Sequence, residues 1–212
     1  MDILPQSNII RVKIIRHSNR LDYSNPLKWM FYFGHDWCDS PLTSNGYVNA
    51  KKKGQTLAIG QSYNPKNIYT SPYNRTMATA TEIKSSFPQT EIIVEPLLAE
   101  FQPNPYAAHT IGLYPNGIPT TYDGTPTDFA YPESRDSFNK RVQFIISNLV
   151  KKNSSDLMII THGEVLKSYI SHLQNLFPNL LLDPGSTPYL TCLSFDVDKT
   201  DGTFVNGSIY LE

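Results

Sequence analysis

The segment Val12-Lys-Ile-Ile-Arg-His-Ser-Asn-Arg20 joins an apolar run to a group of polar side chains. The run begins at Ile9 and is rich in β-branched residues, which is the composition of a strand in the core of a sheet. Open α/β sheets bind ligands at the carboxyl ends of their strands. We therefore expect Arg16, His17 and Arg20 to lie at a ligand site.

The charges at this strand end favour an anion over a metal ion. Arg16 and Arg20 flank His17, and guanidinium groups repel cations but bind phosphate through paired hydrogen bonds. We therefore expect no metal ion and no other cofactor. On these residues alone, a solvated strand end with one surface histidine is the alternative, because charged strand exits are common.

Two later segments repeat the pattern of a short strand that ends in polar residues. They are Tyr69-Thr-Ser-Pro-Tyr-Asn-Arg75 and Leu157-Met-Ile-Ile-Thr-His162-Gly163, and each leads into a predicted helix. Arg75 falls in the first turn of its helix, where its charge opposes the helix dipole unless an anion is bound. An anion site that includes Arg75 is therefore a better interpretation than an exposed arginine.

Four motifs resemble those of the histidine phosphatase superfamily, also called the phosphoglycerate-mutase-like family. They are Arg16-His17, Ser71-Pro72-x-x-Arg75-x-x-x-Thr79-Ala80, Leu98-x-Glu100 and Thr161-His162-Gly163, and they occur in the order found in the family. Leu42-Thr43-x-x-Gly46 resembles the entry to the family's first helix. The resemblance implies an α/β fold, a three-layer sandwich with a mostly parallel central sheet, helices on both faces and an antiparallel edge strand. It also implies one domain over residues 1–212, with an insert at about 101–132 that covers the active site.

The resemblance implies a phosphomonoester hydrolase that acts through a phosphohistidine intermediate. His17 would be the nucleophile, and Glu100 would be the general acid and then the general base. The residues that would hold the phosphate oxygens are Arg16, Arg20, Arg75 and His162. Two other functions stay open, namely a phosphoglycerate-type mutase and a binding module that keeps the pocket without turnover. Other carboxylates near loop or strand ends that could replace Glu100 are Glu95, Glu133 and Glu164.

Ser18 departs from the family pattern, which usually has glycine after the nucleophile. A serine fits if its φ is negative, and its hydroxyl could then contact phosphate, so Ser18 is a candidate substrate-binding residue. The pattern Arg16-His17-x-x-Arg20-x-Asp22 looks like that of the phosphatases related to the suppressors of T-cell-receptor signalling and to the ecdysteroid-phosphate phosphatase. In those proteins the additional arginine also holds phosphate. The mutases typically carry an acidic residue where this chain has Asn19, which disfavours the mutase alternative.

Composition limits the partners that the chain is expected to bind. The chain has 212 residues, 40% of them hydrophobic, and a net charge of -1, which gives no general attraction for nucleic acid or an anionic membrane. The expected partner is a phosphorylated small molecule or a phosphoprotein, and a homodimer is left open. The two cysteines, Cys38 and Cys192, and the lack of a leader or a long apolar run favour a cytoplasmic location.

Local patterns complete the prediction. Helices are expected over residues 44–61, 74–87, 134–152 and 164–176, and Thr43 is expected to cap the first of them. The aromatic-rich residues 21–41 are expected to be irregular and to form either a lid or pocket wall over the strand end or a satellite hydrophobic cluster beneath the loop. The end of the chain is expected to form an antiparallel hairpin over Thr191–Val197 and Thr203–Tyr210. His35-Asp36-Trp37-Cys38 lacks a second ligand pair at zinc-like spacing, and His109 in the insert is interpreted as an ordinary loop residue.

Overall fold

The computed structural model describes residues 8–32, 39–59, 63–103, 132–183, 185 and 187–212. The strands are β1 (Ile9–Arg16), β2 (Asn67–Thr70), β3 (Glu91–Val94), β4 (Leu157–Thr161), β5 (Cys192–Asp198) and β6 (Tyr210–Leu211). The helices are α1 (Leu21–Ser24), α2 (Pro26–Tyr32), α3 (Ser44–Ala58), α4 (Asn74–Lys84), α5 (Arg135–Lys152) and α6 (Gly163–Leu176), with a 3-10 turn at Pro96–Leu98.

The six strands form one sheet in the order β3-β2-β4-β1-β5-β6. The first four of these run parallel, whereas β5 pairs antiparallel with β1 and β6 pairs antiparallel with β5. The register places Arg16 beside Thr161 and Thr70 beside Ile160. The carboxyl ends of β1, β4 and β2 therefore lie side by side, and the predicted mostly parallel sheet with an antiparallel edge is confirmed.

Two apolar clusters cover the two faces of the sheet. Alternate strand residues such as Ile14 and Ile159 pack against α5 and α6, whereas their neighbours Ile15 and Ile160 pack with residues of α3 and α4. Successive side chains of a strand point to opposite faces, so both faces of these strands are covered by helices. This arrangement explains why β4 is a continuous apolar run up to Thr161 and why the apolar residues of β1 fall on both of its faces, and it confirms the three-layer α/β prediction.

The predicted helices form, with ends that differ by a few residues. The Thr43 side chain accepts a hydrogen bond from the Gly46 amide at 2.9 Å, so it caps α3 as expected, and Ser134 caps α5 in the same way. Helix α3 ends at Ala58 instead of residue 61, and α4 ends at Lys84 instead of residue 87.

The expectation that residues 21–41 are irregular is wrong for 21–32, which contain α1 and α2. Asn25 explains the start of α2, because its side chain accepts a hydrogen bond from the Lys28 amide at 3.0 Å. Pro26 occupies the first helical position, where proline is well tolerated. Trp29 supplies the buried face of this short helix.

Three sequence expectations fall wholly or partly outside the described residues. The segment 35–38 and His109 lie outside them, as does most of the insert, residues 104–131.

The predicted terminal hairpin is present as β5 and a much shorter β6, with a further bridge between Val197 and Phe204. Among the described residues, no helix combines the length and apolar character needed to cross a bilayer.

Candidate active site

The carboxyl ends of β1, β2 and β4 bring the sequence motifs together. The His17 amide donates to the Thr161 carbonyl at 2.8 Å, and the Ser71 amide donates to the Ile160 carbonyl at 3.1 Å. Hydrogen bonds of the sheet thus continue past the strand ends. They place His17, Ser71 and His162 next to one another at the edge where parallel sheets bind ligands.

His17 is 1% exposed, and its Nδ1 lies 2.8 Å from the carbonyl oxygen of Ser18. A carbonyl can only accept a hydrogen bond, so Nδ1 carries the proton and Nε2 keeps its lone pair. Burial lowers the pKa of His17 well below its usual value of 6.5, and the positive charge of Arg75 acts in the same direction. His17 is therefore neutral at pH 7, with Nε2 as its nucleophilic atom.

His162 lies beside His17, with the two ring centres 5.4 Å apart. Its Nε2 is 2.8 Å from the Ser71 hydroxyl, and its Nδ1 is 3.3 Å from Oε2 of Glu100. Burial lowers the pKa of His162 to about 4, although the negative charge of Glu100 opposes the change. His162 is consequently a second neutral imidazole, held at both ring nitrogens.

Glu100 completes the group from the loop that follows the 3-10 turn. Its Oε2 lies 3.3 Å from His162 Nδ1 and 4.0 Å from Arg75 Nη2. Burial alone would raise the pKa of Glu100, but its interactions with His162, Arg75 and Arg20 outweigh burial and lower the pKa to about 2. The carboxylate is therefore ionised in the unliganded protein.

Each of the three arginines is held in orientation by an aromatic ring. The guanidinium of Arg16 lies 4.5 Å from the ring centre of Tyr189, and that of Arg75 lies 4.1 Å from the ring centre of Tyr73. Stacking of this kind fixes the plane of a guanidinium without using its hydrogen-bond donors.

Arg20 is held in the same way by Tyr23, at 4.4 Å. Arg20 also forms a two-point ion pair with Asp22, in which Nε donates to Oδ1 at 2.7 Å and Nη2 donates to Oδ2. Hydrogen bonds from Arg20 are the main reason that the pKa of Asp22 is lowered despite partial burial. The pair keeps Arg20 charged and directs it.

His17, Glu100, Arg16 and Arg20 border a cavity of about 140 Å³, whereas Arg75 and His162 do not line it and contact Glu100 instead. Its lining residues are Arg16, His17, Arg20, Tyr23, Glu100, Gly163, Glu164, Lys167 and Thr187. Two polar atoms of the lining, Arg16 Nε and Glu100 Oε1, are buried and have no hydrogen-bond partner among the described residues. Buried polar groups are normally paired. One unpaired donor and one unpaired carboxylate oxygen therefore mark the cavity as a place where a polar ligand binds.

Gly163 leaves room for this arrangement. A Cβ atom at this position would lie 3.2 Å from Nε and 3.3 Å from Cζ of Arg16. Any larger residue would therefore press on the guanidinium. The glycine that follows His162 in the sequence motif is explained by this close approach.

Ligand atoms of His17, Glu100 and His162 lie within 4.8 Å of one another, a spacing that could hold a metal ion. The surrounding charge is unfavourable for one, because Arg75 contacts both Glu100 and His162 while Arg16 and Arg20 line the same cavity. A cation would have to displace or oppose these guanidinium groups. The residues fit an anion such as phosphate better than a metal ion.

The contacts of the other candidate carboxylates separate them from Glu100. Glu95 accepts a hydrogen bond from the Leu97 amide at 2.9 Å, and Glu133 forms a buried ion pair with Arg141. Glu164 lines the cavity but bonds to Arg135 and Lys167, whose side chains are exposed. Glu100, by contrast, lies 3.3 Å from His162 Nδ1 and 4.0 Å from Arg75 Nη2.

Ser18 has a different environment from the one expected. It is fully buried, its hydroxyl donates to the Gly46 carbonyl at 2.8 Å, and its amide donates to the Thr79 hydroxyl at 3.0 Å. Its φ is not positive, so serine is accommodated without backbone strain. Ser18 does not line the described cavity, so the expected contact between its hydroxyl and phosphate has no support here.

Several residues of the site were not predicted from sequence. Thr187 lines the cavity, Tyr189 stacks on Arg16, and Asp39 lies 3.6 Å from Arg75 Nη1. Tyr23, which also lines the cavity, belongs to the aromatic segment for which a pocket wall was one of the two interpretations. These residues come from loops or a short helix that carry no motif. Alternation and helix periodicity give no signal for such positions.

The site thus places a neutral histidine beside cationic side chains, an arrangement whose charge suits an anionic group. The sequence profile of the histidine phosphatase superfamily (branch 1) matches residues 15–206. A related protein from Acanthamoeba polyphaga mimivirus, named as an uncharacterised phosphoglycerate mutase family protein, is 55% identical to this chain over 204 residues. The matched residues are 96% of this chain and 98% of the relative. The chain belongs to the histidine phosphatase superfamily.

Solved structures show the same fold at low identity. The ecdysone phosphate phosphatase of Bombyx mori, crystallised with tungstate, has a TM-score of 0.63 and 21% identity, covering 95% of this chain and 93% of that one. The phosphoglycerate mutase of Bacillus anthracis has a TM-score of 0.62 and 19% identity, with coverage of 95% and 93%. Phosphatases and mutases thus share this architecture, and fold alone does not choose between them.

We predict that Ser18→Ala lowers the free energy of unfolding by about 1 kcal/mol, the usual net value of one hydrogen bond. Turnover of a phosphate ester should change less than about threefold, or under ~0.7 kcal/mol in transition-state free energy. Denaturant unfolding and steady-state kinetics measure the two effects. Thr90→Val is the matched control, because the buried Thr90 hydroxyl donates to the Pro65 carbonyl at 2.7 Å away from the cavity. A loss of turnover above about tenfold in Ser18→Ala alone would show that the hydroxyl takes part in catalysis.

Proposed function

We propose that the protein is a phosphomonoester hydrolase that acts through a phosphohistidine at His17. The observation that carries the proposal is the hydrogen bond from Nδ1 of His17 to the Ser18 carbonyl, at 2.8 Å. This bond fixes the tautomer in which Nε2 is unprotonated, within a cavity lined by arginines. A neutral nucleophile surrounded by cations suits attack on an anionic phosphoryl group.

In the first half-reaction, Nε2 of His17 attacks phosphorus and the ester P–O bond breaks. The non-bridging oxygens carry negative charge throughout, and Arg16, Arg20 and Arg75 offer donors whose orientation is already fixed. The leaving alkoxide takes a proton from Glu100 and departs as an alcohol. The unpaired Nε of Arg16 gains a phosphate oxygen as its partner.

Glu100 must be protonated to act as an acid, yet its pKa in the unliganded protein is about 2. The low value depends on nearby positive groups. A bound phosphate neutralises the arginines and adds negative charge, and both effects raise the pKa of Glu100. A phosphomonoester has a second pKa of about 6, so below that pH the substrate itself carries the required proton to the site.

In the second half-reaction, the Glu100 carboxylate removes a proton from water, and the water oxygen attacks the phosphohistidine. The P–N bond breaks, inorganic phosphate is released and His17 returns to its neutral form. The protonated Glu100 then loses its proton as phosphate leaves and the arginines again lower its pKa. The carboxyl group thus acts as acid and then as base, as microscopic reversibility requires.

A phosphoglycerate-type mutase would share the first half-reaction and transfer the phosphoryl group to a second substrate hydroxyl instead of water. The name of the 55% identical relative keeps this alternative in consideration. Asn19 and the Arg20–Asp22 pair favour the hydrolase, because they follow the pattern of the phosphatases that the motif resembles. The proposed substrates are phosphorylated small molecules or phosphoproteins, with the phosphoryl group in the cavity.

We predict that the purified protein releases phosphate from p-nitrophenyl phosphate and that His17→Asn lowers this rate by at least about a thousandfold, or ~4 kcal/mol. His172→Asn is the matched control, since His172 lies on α6 and does not line the cavity. The same assays include a monophosphoglycerate with and without bisphosphoglycerate. Turnover by His17→Asn at a comparable rate would refute the nucleophile. Isomerisation of phosphoglycerate that exceeds phosphate release would favour the mutase.

Glu100 gives a prediction based on leaving groups. An alkyl phosphate needs a proton on its leaving oxygen, whereas p-nitrophenolate leaves almost unaided. Glu100→Gln should slow the single-turnover burst of phosphoenzyme by about two orders of magnitude with an alkyl ester, the usual scale of general acid catalysis, and far less with p-nitrophenyl phosphate.

The burst must be measured because the later hydrolysis of phosphohistidine uses the same carboxylate and could limit steady-state rates for both esters. Glu164→Gln serves as the control, since Glu164 is another carboxylate that lines the cavity. Equal slowing with both esters in Glu100→Gln, or a selective effect in Glu164→Gln, would assign the acid to another residue.

A further inference from the structure

One buried side chain, Arg141 of α5, binds several carbonyl groups of the backbone that carries Glu100. Its Nη1 donates to the carbonyls of Leu97 at 2.6 Å and Ala99 at 3.1 Å, and its Nη2 lies 3.5 Å from the carbonyl of Glu100 itself. Three carbonyls within four residues thus point toward one guanidinium. The flat, forked shape of arginine allows it to contact all three while also pairing with a carboxylate.

That carboxylate belongs to Glu133. Arg141 donates to it from Nε at 2.9 Å and from Nη2 at 2.6 Å. Oε1 of Glu133 also accepts a hydrogen bond from the Gln102 amide at 3.0 Å, and the Glu133 amide donates to the Gln102 carbonyl at 2.9 Å. The Glu133–Arg141 pair therefore contacts the chain on both sides of Glu100.

The pair is not needed to form the cavity wall and is a costly way to gain stability. The two side chains are only 1% and 2% exposed, and neither residue lines the cavity. Removal of two charges from water is energetically costly, so apolar residues of similar volume often serve a core equally well. What an apolar pair could not do is fix the carbonyls and the amide that flank Glu100.

The same network reaches the other side of the site through Gln102. The Gln102 side chain donates to the Tyr73 hydroxyl, and the Tyr73 ring packs edge-on against His162 with ring centres 4.8 Å apart. Tyr73 also stacks on Arg75. The position of residues 97–102 is therefore tied to the groups that Glu100 contacts.

We propose that the Glu133–Arg141 pair is a positioning device that aims the Glu100 carboxylate at the leaving-group oxygen. This inference rests on the proposed function, in which Glu100 is the acid. Arg141 and Glu133 act through the backbone of Glu100 and do not touch the substrate. A change in the pair then reproduces, in weaker form, the leaving-group signature of losing the acid, which a purely structural role does not do.

The test compares single-turnover bursts with an alkyl phosphate and with p-nitrophenyl phosphate. Arg141→Lys keeps the positive charge beside Glu133, but one ammonium group cannot replace a fork that reaches five acceptor atoms. The burst with the alkyl ester should slow at least tenfold more than the burst with p-nitrophenyl phosphate. In the Glu100→Gln background, Arg141→Lys should add nothing to this difference, because the group that it positions is already absent.

Two further variants keep the test decisive. Glu133→Gln retains an acceptor for the Gln102 amide and weakens the hold on Arg141, so it should give a smaller difference in the same direction, and it replaces Arg141→Lys if that protein does not fold. Arg11→Lys is the matched control, because Arg11 makes a two-point ion pair with Asp156, at 3.3 and 2.7 Å, outside the cavity. It should lower stability without a leaving-group difference.

The outcomes separate the two proposals. If Glu100→Gln shows the leaving-group difference while Arg141→Lys and Glu133→Gln slow both esters equally, the positioning role is refuted and the proposed function stands. If Glu100→Gln itself shows no difference, the assignment of the acid fails and the positioning role fails with it. A difference in Arg11→Lys as large as in Arg141→Lys would also refute the inference, since it would show a general effect of lost stability.

Discussion

The arrangement of the site depends on one electrostatic feature. Three guanidinium groups of fixed orientation lie near one neutral histidine and attract an anion to it. Arg16 and Arg20 line the cavity with His17, and Arg75 lies against His162 and Glu100. Burial and these positive charges keep His17 neutral, with Nε2 unprotonated, and the same charges keep Glu100 ionised. A phosphate group is the complement of this arrangement, because it pairs with the arginines and reduces the positive charge that keeps Glu100 deprotonated.

The ends of the strands determine where the site residues lie, and the side chains packed around these residues determine how they are oriented. Parallel strands end at one edge, so motifs far apart in sequence meet there, with Thr161 beside Arg16 in the register of β1 and β4. Aromatic rings then fix each guanidinium plane, and Gly163 provides space for Arg16. These supports are preorganised before any ligand binds, which is the condition under which electrostatic stabilisation of a transition state is largest.

The sequence predicted the parts of this structure that follow from periodic patterns and contiguous motifs. Apolar runs predicted β1 and β4, and the threonine before the start of α3 predicted the Thr43 cap. The order of the motifs identified the family and the grouping of His17 with His162. Residues 21–32 were wrongly expected to be irregular, because their high aromatic content was interpreted as a loop and the cap that Asn25 provides for α2 was not recognised. Tertiary contacts such as the bond between the Ser18 hydroxyl and Gly46, or the stacking of Tyr189 on Arg16, join distant positions and leave no local pattern.

The central claim is that His17 attacks phosphorus through Nε2 because Nδ1 is bound to the Ser18 carbonyl. The most direct measurement is the ³¹P NMR spectrum of phosphoenzyme formed by Glu100→Gln with p-nitrophenyl phosphate, combined with mass-spectrometric mapping of the phosphorylated residue. This variant lacks the general base, so the phosphoenzyme intermediate accumulates and can be trapped. The account predicts one phosphohistidine, at His17 and substituted at Nε2. Phosphate on Nδ1 of His17, phosphate on His162, or turnover without any phosphohistidine would contradict it.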